Sequence, residues 1–557
     1  MRKTILLFLS LLSVTTVSAR ERTWAEKQQA ALGVLQTKKQ AKGFGISAER
    51  ISLLEENDML SIIGNDNIGF AIVPNDDIFP AVIGYSYTGY KSEKNPALKW
   101  YLNTAMESMK RIKNEGRNYA PIAPSGDVRQ KVEHLLTTTW NQGAPYYNLG
   151  PTQENGSHYP TGCVATATSQ IMKFYNYPEH GTGQKQYSFQ PSAGVGELLY
   201  ANFENTTYDW SNMIDDYETT SYTTAQANAV ATIMLHCGVA VEMNYTPSGS
   251  GAYSSEVRYA LIRFFNYNKN LGLYDRNYYS IEQWMNLIFT ELSNNRPIYY
   301  AGNDPGSGGH AFVLEGYNSE GYVYVNWGWG ADGGNGYYDI ALLNPNGYSF
   351  SSAQNMIIGI SPEVCCDFES HIVSDYPMNV AKVSTFLNVQ PATTSSMWNL
   401  CGDAWEGKLG IILEGNGNTY ELKTVDVTKT GYLFNVMSNT SSDLGGMISV
   451  YPSNIADGNY RLYIGAKGEN DNRWRLVRRA EGLTNSYIVT FVNGKPTTLT
   501  PDNDDTWPLT TGISTISANT PETNVSSVWY TIDGQRLNGE PTQRGIYIHN
   551  GQKFVVK

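Results

Sequence analysis

The chain has 557 residues, 17% of them charged, with 52 glycines, 39 tyrosines and a formal charge of −12. That length exceeds what one core accommodates and predicts several domains, and the composition is that of a β-rich, loop-rich soluble protein rather than a helical bundle. The acidic balance offers no basic footprint and argues against a nucleic-acid partner.

Residues 1–19, "MRKTILLFLSLLSVTTVSA", join a basic start (Arg2, Lys3) to an apolar run and small residues ending at Ala19. This pattern predicts a secretory signal cleaved after Ala19, hence a secreted or cell-surface protein. The run is shorter than the roughly 20 residues a bilayer needs, so no membrane span is expected here or later. Residues 20–124 read as a small α+β unit. It has a polar amphipathic helix in "TWAEKQQAALGVLQTKKQ", strands broken by Gly64-Asn65 and Pro74-Asn75, and a helix opened by Asn95-Pro96 and stopped by Gly116. "APIAPSG", 120–126, reads as a linker.

Residues 125–362 begin helical and end in strands. After Cys163, the positions Val164, Ala167, Ile171 and Phe174 mark one buried helix face, and Asn176 to Pro178 end it. "AQANAVATIMLHCGVAVEM", "SSEVRYALIRFFNY" (capped by Ser254 or Ser255) and "SIEQWMNLIFTELSNN" read as three more helices. "PIYYAG", "HAFVLEGY", "YVYVNWGW" and "GYYDIALL" read as strands, which together predict a two-lobed α+β domain. Residues 363–500 carry short strands at regular spacing and predict a β-sandwich. Residues 501–524 read as a polar linker. Residues 525–557 read as β-hairpins turning at Asp533-Gly534 and Asn550-Gly551.

Five cysteines with no C-x-x-C spacing make neither a disulfide framework nor a zinc site, and their odd number leaves at least one thiol free. A single cysteine is most often a small apolar core residue. Cys163, however, stands where a helix begins, and there the unpaired N–H groups and the helix dipole favour a thiolate. The fitting base is His310, at the change from the glycine-rich "GNDPGSGG" to an apolar strand. Gly308 and Gly309 before it would let a substrate backbone come close. His310 follows Cys163 at the separation of about 130–150 residues expected of a papain-type pair. His236 lies within a helical pattern and reads as core. "YVNWGWGADGG" offers amide and aromatic groups to orient an imidazole, and Gln142 is an amide donor upstream of the cysteine.

"WNQGAPYYN", "TGCVATATSQIMKFYNYP", "GGHAFVLEGY" and "VNWGWG" together resemble the streptopain/interpain family, papain-fold cysteine endopeptidases made as zymogens. The similarity extends through 20–362 and includes "GFAIVPNDDIFPAVIGYS". It implies Cys163 as nucleophile, His310 as general base and later acid, and Gln142 as oxyanion donor. Because "VNWGWG" departs from the papain Asn-Ser-Trp, the imidazole's partner stays open among Asn326, Trp327 and Trp329. "YTPSGSGAYSSEV" is similar to the family's substrate-cleft loop and implies Ser254 and Ser255 near the non-primed side. No metal or organic cofactor is implied. The implied partners are protein or peptide substrates and the chain's own segment 20–124 as an intramolecular inhibitor, released by processing within 115–130. The terminal "VWYTIDGQRL…GIYIHNGQKFVVK" is similar to sorting segments of the type IX export route. The expected architecture is therefore α+β: a papain-like two-lobed protease with an α+β pro-domain, then a β-sandwich and a C-terminal β-hairpin sorting-type segment. Two other classes compete. One is an adhesin carrying an inactive protease fold, which the presence of both Cys163 and His310 disfavours. The other is a papain-fold acyltransferase, for which no aspartate stands where "VNWGWG" does.

Overall fold

The computed structural model describes residues 20–40, 50–190, 196–304, 308–343, 354–366, 369–391, 397–402, 404–433, 435–439, 444, 446–502 and the strands at 529–531, 536–537, 545–549 and 552–556. The expected signal 1–19 lies outside them, as does nearly all of the 501–524 linker. No helix among the described residues is long and apolar enough to cross a membrane.

Among the described residues six α-helices form: α1 (Trp24–Gln40), α2 (Pro96–Asn114), α3 (Cys163–Tyr175), α4 (Thr224–Ala240), α5 (Ser254–Arg263) and α6 (Ile281–Ser293). Their ends follow local chemistry. Asn95 caps α2 by accepting the Leu98 N–H, and Pro96 fills the first helical position, where no N–H is needed. Ser280 and Gln283 close a capping box on α6. The cap expected of Ser254 or Ser255 does not form. Tyr253 is the N-cap of α5 and makes no side-chain cap bond, so both serines lie inside the first turn.

The strands β1 (Ser52–Glu56), β2 (Leu60–Asn65), β3 (Gly69–Pro74) and β4 (Gly84–Ser86) come from the N-terminal segment. After the hairpin β5 (Gln184–Phe189) and β6 (Glu197–Asn202) come β7 (Gly272–Asp275), β8 (Ile298–Asp304), β9 (Gly308–Tyr317), β10 (Val323–Asn326), β11 (Gly336–Tyr338) and β12 (Asn355–Ile358). Ten of these strands make one sheet in the order β1-β2-β3-β4-β11-β10-β9-β8-β12-β7. The N-terminal segment is thus joined edge to edge to the rest through β4 and β11, with Tyr85 opposite Tyr337. "GYYDIALL" gives only a short strand, since Ala341–Leu343 turns into a 3-10 helix.

The two faces of this sheet bury different cores. One face packs Phe312, Leu314 and Val325 against Trp100 and Tyr101 of α2 and Trp284 and Ile288 of α6. The other packs Ala311, Val313 and Ile357 against Val164, Ala167 and Ile171 of α3, with α4 and α5 behind. Alternate residues of β9 therefore belong to opposite cores, as a strand's two-residue period requires.

Farther along, a six-stranded antiparallel sheet holds Trp405–Gly415, Asn418–Thr430, Gly458–Gly468, Ser486–Val492 and Lys495–Asp502, with Arg475–Leu476 attached. Two three-stranded sheets accompany it, built on Ile372–Ser374 and on Phe386–Gln390. Leu387, Val389, Leu409, Ile411, Leu462 and Val489 share one core among them. Polar contacts fasten this layer to the turn after β7. Buried Arg276 pairs with Glu481 at 3.1 Å, Tyr278 donates to Asp375 at 2.9 Å, and the Arg478 guanidinium lies 4.3 Å over the Tyr279 ring. In the unit Gly512–Lys557 the described residues form a four-stranded antiparallel sheet. Trp529–Thr531 pairs with Arg536–Leu537 and with Gly545–His549, which pairs with Gln552–Val556. The turn residues Asp533, Gly534, Asn550 and Gly551 lie outside the described residues.

Candidate active site

Cys163 is the first residue of α3, and Gly162 before it adopts φ +89°. A side chain at Gly162 would stand 2.7 Å from the Ser250 carbonyl oxygen and 2.9 Å from Met243 Sδ, so only glycine lets the helix start here. The N–H groups of Cys163 and Val164 at the helix start, with that of Ala311 on β9, all bond the sulfur and lower its pKa. Burial outweighs them, so the thiol is pushed up rather than down as helix position alone suggests.

His310 lies on β9 opposite Gly302 of β8. Cys163, Val164, Tyr253, Ser254, Tyr299, Gly309, His310 and Asn355 open onto one cavity of about 520 Å³. Nucleophile and base candidates thus share a cleft whose walls are largely apolar. Ser254 stands in the wall, and Ser255, one residue on, is half-buried on α5. Gly308 pairs with Asp304 at the start of the β8–β9 ladder.

The loop bearing Gln142 is held to α3 by buried amides. Gln170 of α3 accepts from Thr138 Oγ1 at 3.0 Å and from the Trp140 N–H at 3.1 Å. The Gln142 carbonyl accepts the Thr161 N–H at 3.1 Å, two residues before the cysteine. Gln142 Nε2 is buried and has no hydrogen-bond partner in this conformation, an uncommon state for a buried donor.

"VNWGWG" is placed less directly. Asn326 donates to the Thr138 carbonyl at 2.8 Å and to Gln170 at 3.2 Å, and accepts the Gly328 N–H at 3.1 Å. Its amide ties β10 to α3 and to the Gln142 loop. Trp327 is fully buried with its ring centroid 4.8 Å from Phe312, two residues after His310. Trp329 packs partly buried on the same core.

Sequence reasoning missed Trp100. This α2 residue is 1% exposed, with its ring 6.5 Å from that of His310 and 6.0 Å from that of Phe312. A Cβ at Gly302 would run into the Trp100 ring. The available signal was that glycine in "YYAGND", since a glycine inside a strand marks a close approach. His236 is core as expected: Tyr208 meets its Nδ1 at 2.8 Å, and burial pushes the imidazole down to about 4.

The N-terminal segment also buries Asp339. Tyr119 donates to its carboxylate at 3.0 Å, and burial pushes the carboxyl up to about 7. A carboxyl raised in the folded state lowers stability once pH exceeds its unfolded value near 4, and the cost is complete above about 7. Asp339→Asn should therefore raise the Tm of the full chain near pH 8 and change it little near pH 4. Calorimetry at both pH values checks this, and an equal shift at both contradicts it.

The peptidase C10 family model matches residues 140–338. Streptopain of Streptococcus pyogenes is 32% identical over 372 residues, covering 61% of this chain and 92% of that protein. The thiol protease/hemagglutinin PrtT of Porphyromonas gingivalis is 34% identical over 315 residues, covering 53% of this chain and 36% of that protein. The structure of Prevotella intermedia prointerpain A is similar with a TM-score of 0.52 at 40% identity, covering 56% of this chain and 98% of that one. The span 140–338 contains Cys163 and His310, and by these similarities the chain belongs to the peptidase C10 family of cysteine peptidases.

Proposed function

We propose that the protein is a secreted cysteine endopeptidase made as a self-processing zymogen. The observation that carries the reading is the opening of Cys163, at a helix start, and His310, at a strand start, onto one cleft. The Cys163 thiolate attacks a peptide carbonyl, and the Cys163 N–H and Gln142 Nε2 hold the oxyanion. The buried Gln142 donor supports this role, because a substrate oxyanion supplies the partner it lacks. His310 protonates the leaving amine and then activates water to hydrolyse the thioester. Gln142→Ala should lower kcat by roughly 10²–10³-fold with a smaller change in KM, the pattern of a contact made only in the transition state. Steady-state kinetics on a peptide substrate read this, and an unchanged kcat removes Gln142 from the mechanism.

Residues 20–124 act as the inhibitory pro-domain in this reading. Three features support it: Trp100 against His310, the β4–β11 pairing, and the Lys91–Asp332 ion pair at 2.6 Å. Cleavage falls within 115–130. The C-terminal unit serves export by the type IX route, a role supported by its separate four-stranded sheet behind a polar linker. Expression of wild type beside Cys163→Ala tests self-processing. Wild type should lose its N-terminal segment while the variant stays full length, and a wild type that stays intact under reducing conditions overturns the claim.

A further inference from the structure

Between β12 and the C-terminal sheets the chain carries two consecutive half-buried cysteines, Cys365 and Cys366, which proteolysis does not use. Their sulfurs lie 3.9 Å apart. One amide group faces both: Asn268 Nδ2 donates to Cys365 at 3.4 Å and to Cys366 at 3.3 Å. The same Nδ2 is anchored on the Gly359 carbonyl at 3.2 Å. Asn270 Nδ2 donates to the Cys366 carbonyl at 2.9 Å. Nearby stands the Arg296–Glu291 ion pair, 2.5 Å between its charged atoms, whose guanidinium favours the Cys365 thiolate and whose carboxylate opposes it.

This setting differs from that of the other thiols. Cys237 is sealed in the core beside Ser169 and Met172, and burial pushes it up to about 12, which leaves it inert. Cys365 is pushed down to about 7, first by the hydrogen bond with the Cys366 thiol and then by Arg296 and Asn268, against its burial and the Glu291 carboxylate. A thiol titrating near ambient pH attacks disulfides best, and Cys366 stands beside it to resolve the product.

We propose that Cys365 and Cys366 form a redox-active dithiol whose co-reactant is a small organic disulfide such as glutathione disulfide. The Cys365 thiolate attacks one sulfur of the disulfide, forming a mixed disulfide and releasing one thiolate. Cys366 loses its proton to solvent or to that thiolate and attacks the Cys365 sulfur. A Cys365–Cys366 disulfide forms and the second small thiol leaves. Two protein thiols are oxidised and one disulfide is reduced to two thiols. Closing the protein sulfurs from 3.9 Å to about 2 Å makes an eight-membered ring; because Cα atoms joined by a trans peptide lie about 3.8 Å apart, short of the usual disulfide span, the backbone of the pair turns together with its side chains.

The test uses the full-length Cys163→Ala chain, so that neither catalytic thiol chemistry nor processing intervenes and the outcome is independent of the proteolytic reading. The reduced chain is equilibrated with glutathione disulfide, its remaining thiols are alkylated, and its peptides are mapped by mass. The peptide bearing Cys365 and Cys366 should be unalkylated and lighter by two hydrogens, and a reducing agent should restore it. In the same background Cys366→Ser should trap glutathione on Cys365. As a check on the unsubstituted pair, one equivalent of phenylarsine oxide should protect both cysteines from alkylation. The proposal is overturned if both remain alkylated after oxidation, if each carries its own glutathione, or if either pairs with Cys401 instead.

Discussion

In the processed enzyme, His310→Ala should lower kcat by about 10²–10⁴-fold, the range of a lost general acid–base. The imidazole is asked to take the thiol proton, protonate the leaving amine and activate water. The structure makes the first task demanding, because burial alone pushes the Cys163 thiol up. A thiolate at neutral pH then depends on an imidazolium beside it as well as on the N–H groups of Cys163, Val164 and Ala311. The two groups act as a unit, so the Cys163→Ala, His310→Ala double variant should be no slower than Cys163→Ala alone. Kinetics on a fluorogenic peptide, with circular dichroism to verify folding, read both. A His310→Ala enzyme within tenfold of wild type would assign the base elsewhere.

Trp100→Ala should do the reverse and raise activity before processing. The indole is fully buried between the N-terminal segment and the cleft, and it covers His310 and Gly302 together. Truncating such a tryptophan costs about 3–5 kcal/mol. If most of that is lost from docking of the segment, the unprocessed chain gains roughly 10²–10³-fold in hydrolysis, at about 1.4 kcal/mol per decade. The initial rate of freshly purified, reduced zymogen measures this. A Cys163→Ala, Trp100→Ala chain with a near-normal Tm shows that the fold survives. Unchanged latency would place the inhibitory contact elsewhere on the segment.

Features written locally in the chain were legible from it. The α3 helix shows its face in Val164, Ala167 and Ile171, and the apolar run "HAFVL" lies in β9, which begins two residues before it, at Gly308. What pairs over long distance was not. No periodicity tells β4 to align with β11, some 250 residues away, yet that pairing makes one sheet of two segments. β7 and β12 were missed for the same reason: each is four residues long and gains its identity from pairing with distant strands, β7 with β12 and β12 with both β7 and β8. The β5–β6 hairpin was also missed, because its exposed Leu198 and Tyr200 blur the usual alternation. In the site, residue type pointed to Cys163, His310 and Gln142. The surroundings that tune them came only from packing: the indole of Trp100 over the imidazole, and the burial that raises the thiol. Asn326 shows the converse. Its residue type suggested an imidazole partner, and the structure engages its amide with Gln170 and Thr138.

The central claim is that Cys163 is the nucleophile of a peptide hydrolase, and covalent labelling tests it most directly. Processed enzyme treated with a peptidyl epoxide should lose hydrolysis in proportion to label. The label should map to the peptide that begins α3, and Cys163→Ala should show neither label nor hydrolysis. Hydrolysis that survives Cys163→Ala, or label that maps to another cysteine as activity falls, would contradict it.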